Sequence, residues 1–89
     1  MLKITRTGQF KKDYKLMKKR GKDMGKLREV VEKLVREELL NKKYQDHPLF
    51  GKWKGTRDCH IEPDWILIYT KTKDELILER TGTHVDLFQ

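Results

Sequence analysis

Apolar positions recur along the chain with two different periods, and the switch between them outlines the fold. Leu2 and Ile4 alternate with Lys3 and Thr5, the two-residue period of a half-buried strand. Thr7 then offers a helix cap, and Phe10, Tyr14 and Met17 follow at helical spacing, with Lys11, Lys12, Lys15, Lys18 and Lys19 off that stripe. Gly21 stops this helix, and Asp23 caps a second, in which Leu27, Val30, Val31, Leu34 and Val35 form a wide apolar face predicted to end near Leu39. So short a break, Arg20 to Asp23, makes the two helices antiparallel neighbours.

Beyond the helices the period shortens. Asn41 to Lys52, with Pro48 and Gly51, reads as a loop, and Trp53 to Ile61 as a strand bent at Gly55. Pro63-Asp64 forms a turn. Trp65 to Thr70 has the continuous apolar run of a central strand, and Lys73-Asp74 turns into a last strand, Glu75 to Thr81, followed by a short tail from Thr83 to Gln89. These elements predict an α+β fold in the order β-α-α-β-β-β. An antiparallel two-helix hairpin packs on one face of a small, mostly antiparallel sheet joined by the N-terminal strand, and the opposite face stays open for a ligand.

Composition narrows the class. With 89 residues, the chain is expected to form one domain, spanning 1–89, with one modest core. The formal net charge of +7 is unevenly spread: residues 1–43 hold 15 Lys+Arg against 6 Asp+Glu, and residues 44–89 hold 6 against 8. A basic helical half beside a nearly neutral, histidine-bearing half suits capture of a polyanion by one surface and chemistry on another, with Lys11, Lys12, Lys15, Lys18, Lys19 and Lys22 as the capturing groups. A merely solvated lysine face is the bland reading of the same pattern. A lone cysteine, Cys59, excludes an internal disulfide and suits a reducing compartment. No apolar run reaches the roughly 20 residues of a membrane span, and the N-terminus lacks a signal-peptide core, so a cytoplasmic protein without a membrane partner is expected.

All three histidines lie in the second half of the chain, where side chains able to give or take protons near neutral pH gather among turn residues. His47 stands in a polar loop beside Asp46, as a candidate acid or base or a plain surface histidine. Strict alternation puts Cys59 and Ile61 on one face of their strand and Asp58, His60 and Glu62 on the other, so His60 faces the open side if Cys59 faces the helices. Asp64, on the turn beyond, suits a histidine-orienting carboxylate, a base or simply a turn residue. Arg80, late in the last strand, suits a phosphate clamp or an ion pair with Glu62 or Glu79. His84 and Phe88 sit where a tail can fold back to the strand ends, and Phe88 offers a ring for stacking on a base. No metal is expected, since neither HxH nor HExxH spacing occurs.

The blocks DHPLFGKWKGTRDCHIEPDWILIY and LERTGTH followed by DLF, with the basic stretch KKDYKLMKKRGKDMGKL, resemble the YafQ-type branch of the RelE/ParE toxin superfamily, the toxin halves of bacterial toxin–antitoxin pairs. The resemblance covers essentially the whole chain. It implies a RelE-like fold and a metal-independent, ribosome-dependent endoribonuclease that cuts messenger RNA and is inhibited by a cognate antitoxin. By position it implies catalytic roles for His47, His60, Asp64 and His84, and substrate contacts for Arg80, Phe88 and Trp65; Lys52, Lys54 and Arg57 are expected as further substrate-binding groups. Cys59 stands where related chains carry small residues. The implied chemistry is attack of a ribose 2′-hydroxyl on the adjacent phosphorus, with Asp64 or a neutral histidine as base and a protonated histidine as acid. Two other readings stay open: a ParE-like toxin that binds a topoisomerase, and an RNA-binding module without catalysis.

Overall fold

A computed structural model describes residues 1–88 of the chain. Thr7 caps α1 (Gly8–Lys19) by accepting from the Phe10 N–H at 2.9 Å, and Asp23 caps α2 (Met24–Val35) by accepting from the Gly25 N–H at 3.0 Å. Between them Gly21 takes a φ of 83°, a left-handed turn that glycine adopts without steric cost. The second helix stops at Val35, before the expected Leu39. Glu37 turns left-handed at φ 59°, and the Glu38 N–H closes back on the Lys33 carbonyl at 3.0 Å, while Leu2 N–H takes the Val35 carbonyl at 3.0 Å. Leu39 is left almost fully exposed.

Five strands form one sheet: β1 (Lys3–Arg6), β2 (His47–Pro48), β3 (Arg57–Glu62), β4 (Trp65–Lys71) and β5 (Glu75–Gly82), in the spatial order β1-β5-β4-β3-β2. The last three are an antiparallel meander, and β1 joins it parallel to β5. The expected order therefore holds, with two additions. His47-Pro48 is a two-residue edge strand rather than loop, and the tail coils into α3 (His84–Phe88). The expected strand from Trp53 is shorter, because Gly51–Trp53 forms a 3-10 turn and pairing begins at Arg57.

The core lies between the helices and one sheet face: Phe10, Met17, Leu27, Val30 and Leu34 pack on Cys59, Trp65, Leu67, Tyr69, Leu76 and Leu78. At about 25 cal/mol per Å² of apolar surface removed from water, burial of this kind drives the fold. The opposite face, expected to be an open concavity, is partly roofed. Leu87 of α3 and Leu49 and Trp53 of the β2–β3 connection pack on Ile66 and Ile68 there. These two pieces bracket the floor of the site.

Two β-bulges change which way side chains point. One in β3 falls between His60 and Glu62 and turns Glu62 toward the helix side, where Lys22 and Lys26 reach it at 3.2 and 3.0 Å. The expectation that Glu62 shares a face with His60 is thus overturned. The second bulge inserts Glu79 opposite the Ile68/Tyr69 step, so Arg80 pairs with Ile68 on the histidine side instead of following Leu78 inward, and Thr81 becomes buried.

Candidate active site

The three histidines arrive from three elements. His47 on β2 stands directly opposite Asp58 on β3, and cross-strand partners share a face, so both project to the side occupied by His60. His84 is the first residue of α3. Asp64, on the β3–β4 turn, accepts from the His84 backbone N–H at 3.0 Å and lies 2.6 Å from its ring Nδ1. One carboxylate oxygen therefore caps the short helix and fixes the histidine tautomer, with the proton on Nδ1 and Nε2 left as the second ring nitrogen. The backbone contact first, then the ring, holds the Asp64 carboxyl below the ordinary carboxylate range. Asp64 is thereby suited to orienting His84.

The rings of His60 and His84 lie 5.5 Å apart, and those of His84 and Phe88 6.2 Å apart, in a tilted series across the face. His84 and Phe88 are exposed and His60 half-buried, its Nδ1 buried without a hydrogen-bond partner among the described residues. A solvent-facing histidine beside a more enclosed one provides two proton-handling groups in different surroundings, as a reaction needing both an acid and a base requires.

Asp58 is a site residue that sequence reasoning left unassigned. It is buried, and its Oδ1 lies 2.8 Å from His47 Nε2 without a directed hydrogen bond. Burial pushes its carboxyl up, opposed by the charges of His47, His60 and His84, while Asp46 adds to the rise. The signal was its alternation with His60 on one strand face. His47 Nδ1 lies 3.1 Å from the Pro48 carbonyl, so both ring nitrogens of His47 face oxygens within the chain.

Arg80 reaches past the end of β1 to α1, where Nε and Nη2 each bond Asp13 at 3.0 Å. The partner is thus neither Glu62 nor Glu79. Phe88 and the exposed Lys52 and Lys54 sit on the two pieces that flank the floor. Two expected substrate contacts fall elsewhere. Trp65 is fully buried on the helix side and donates to Thr81 Oγ1 at 2.9 Å, so it presents no surface to a ligand. Arg57 pairs opposite Tyr69 on that same side and is held by Asp46 at 3.2 Å, which also accepts from the Tyr69 hydroxyl at 2.7 Å.

Of the lysines expected to capture a polyanion, Lys11, Lys12, Lys15, Lys18 and Lys19 are exposed along α1. Lys22 is different: it bonds Glu62 and lies 5.9 Å over the Trp65 ring, so it serves packing at the hairpin. A groove of about 710 Å³ runs between α1, α2 and β1 with Ile4, Phe10, Tyr14, Leu27 and Val31 along it, on the side away from the histidines. No helix among the described residues is long and apolar enough to cross a membrane.

Fold and site together define a small α+β protein with histidines and carboxylates gathered on one sheet face and a basic helix hairpin on the other. The profile of the bacterial toxin YafQ of type II toxin–antitoxin systems fits residues 2–89, and the chain belongs to that family. It is 55% identical over 86 residues to the mRNA interferase toxin YafQ of Escherichia coli K12, covering 96% of this chain and 94% of that protein. The crystal structure of YafQ from E. coli BL21(DE3) superposes with a TM-score of 0.95 at 51% identity over the full length of both chains. The E. coli DinJ–YafQ complex contains a chain that superposes at 0.93, with 51% identity and full coverage of both.

Proposed function

We propose that this chain is the toxin of a toxin–antitoxin pair and an endoribonuclease that cleaves messenger RNA on the ribosome. The observation that carries the reading is the His84–Asp64 contact at 2.6 Å with the His60 ring 5.5 Å away, an oriented histidine beside a second one on an accessible face. The name of the E. coli relative, an mRNA interferase toxin, supports the reaction class, and the DinJ–YafQ complex supports a cognate antitoxin as partner. In the proposed reaction one of these histidines takes the 2′-hydroxyl proton and the 2′-oxygen attacks phosphorus. A protonated group returns a proton to the departing 5′-oxygen. The products are a cyclic phosphate and a free 5′-hydroxyl. Arg80 faces the same side and supplies positive charge for the phosphoryl oxygens. Incubation with translating ribosomes and mapping of new 5′ ends is the direct test. Binding that leaves every message intact would favour a non-catalytic RNA-binding module.

Two outcomes follow for the surroundings of the site. The proposed proton transfers use side chains alone, and no cluster of three or more His, Cys, Asp and Glu among the described residues is arranged to hold a metal ion. Chelator treatment is expected to leave cleavage unchanged; loss that zinc restores would bring a metal into the reaction. Reversal of Lys11, Lys12, Lys15, Lys18 and Lys19 to Glu is expected to weaken ribosome association severalfold or more at low salt and to flatten its salt dependence, since fewer counterions are released. Cleavage should recover at high ribosome concentration, because these lysines lie away from the histidines. Equal binding by both proteins across a salt series would leave α1 a solvated face.

A further inference from the structure

Asp13 is the buried acid of α1, on the face turned to the sheet, and the proposed reaction does not use it directly. Its residue surface is 5% exposed, and each carboxylate oxygen accepts two hydrogen bonds. Oδ1 takes Arg80 Nη2 at 3.0 Å and Gln9 Nε2 at 3.0 Å; Oδ2 takes Arg80 Nε at 3.0 Å and the Thr81 backbone N–H at 3.2 Å. Four acceptor positions are about the full capacity of an ionised carboxyl group, so the acid is saturated. A carboxylate engaged through both oxygens by Nε and Nη2 holds the planar guanidinium in one orientation. Nη1 takes no part in that fork.

The anchored segment is the one displaced by the bulge in β5. Glu79 is the extra residue there; β1 ends at Arg6, and Thr7 makes the last contacts on that side, its N–H to the Leu78 carbonyl at 3.1 Å and its Oγ1 to the Glu79 carbonyl at 2.8 Å, so Arg80 and Thr81 lie beyond the ladder. Asp13 replaces that missing strand at Arg80 and Thr81. Thr81 in turn accepts from Trp65 Nε1 at 2.9 Å and donates to the Ile66 carbonyl at 2.8 Å, which ties the bulge to the central strand.

We propose that Asp13 is a positioning residue for cleavage, holding the Arg80 guanidinium by one edge so that the other is presented to the phosphate between the histidines. This rests on the reading of the site as a ribonuclease centre in which Arg80 meets substrate. A group of this type contributes about 10² to 10³ in rate when correctly placed, and misplacement by about an ångström loses a comparable factor.

The test is a double-mutant cycle of Asp13→Asn and Arg80→Ala, with single-turnover cleavage on programmed ribosomes and thermal melting measured for each protein. Arg80→Ala is expected to lower the cleavage rate by about 10² or more, and Asp13→Asn by roughly 10-fold or more with little change in ribosome affinity. In the Arg80→Ala background, Asp13→Asn should add nothing further to the rate. An equal loss with and without Arg80, or wild-type cleavage by a folded Asp13→Asn protein, overturns the proposal. Arg80→Lys serves where Asp13→Asn fails to fold. Lysine keeps the charge but has no fork to hold and present at once, so its rate should stay within a few-fold of Arg80→Ala. Retention of more than about half of the wild-type rate would show that charge alone suffices and overturn the proposal. Wild-type cleavage by Arg80→Ala would instead remove Arg80 from the site, a distinct result.

Discussion

Replacement of His84 by alanine is expected to lower the cleavage rate by about 10² to 10⁴, the range in which a positioned acid or base contributes, without changing the melting temperature appreciably. The side chain is 53% exposed, so its removal leaves no cavity. His60→Ala should produce a loss of the same order. His47→Ala should be similar or milder, because its ring nitrogens face Asp58 and the Pro48 carbonyl on an edge strand. Asp64 offers the sharper comparison. Acting through His84, it should cost less when changed to Asn than His84 does when changed to Ala, and the double variant should match His84→Ala alone. New 5′ ends counted on programmed ribosomes, together with melting curves, decide the matter. A double variant markedly worse than His84→Ala would give Asp64 a proton-transfer role of its own. Full activity in folded His60→Ala and His84→Ala proteins would place the chemistry elsewhere.

The periodic parts of the chain were legible because one physical variable, burial on one face, controls them. Phe10 and Met17 on α1, the apolar stripe of α2, and the continuous run at Trp65 all landed where their spacing required. Each element whose end or direction depends on a single backbone turn was less visible. Glu37 closes α2 in a left-handed conformation without the glycine that normally announces it. The bulges in β3 and β5 each break the two-residue alternation, and so reverse what it implies for Glu62 and Arg80. The gathering of His47, His60 and His84 follows from the tertiary arrangement of a two-residue edge strand, the strand beside it and a five-residue helix. Sequence identified the residue types, while register and the Asp64 cap decide which of them meet. Asp58 was read on the correct face but without a role, because only burial separates it from an ordinary surface acid.

Trp65→Ala is expected to have the largest effect on stability. The side chain has no exposed surface, packs in the core between the helices and the sheet, and its Nε1 donates to Thr81 Oγ1 in a buried bond of 2.9 Å. Removing a buried tryptophan costs about 3–5 kcal/mol through lost burial and the cavity left behind. A small domain holds only about 5–15 kcal/mol in all. At about 4–8 °C per kcal/mol for a chain of this size, the melting temperature should drop by more than about 10 °C. Trp65→Phe keeps most of the ring volume and removes the donor, so it should cost about 1–2 kcal/mol. Thr81 still donates to the Ile66 carbonyl and remains anchored. Cleavage should then decline in proportion to the unfolded fraction, with Trp65→Phe retaining most activity at low temperature. A Trp65→Ala protein that melts like the wild type yet does not cleave would overturn this assignment. The ring would then belong to substrate recognition, which its complete burial beneath the helices argues against.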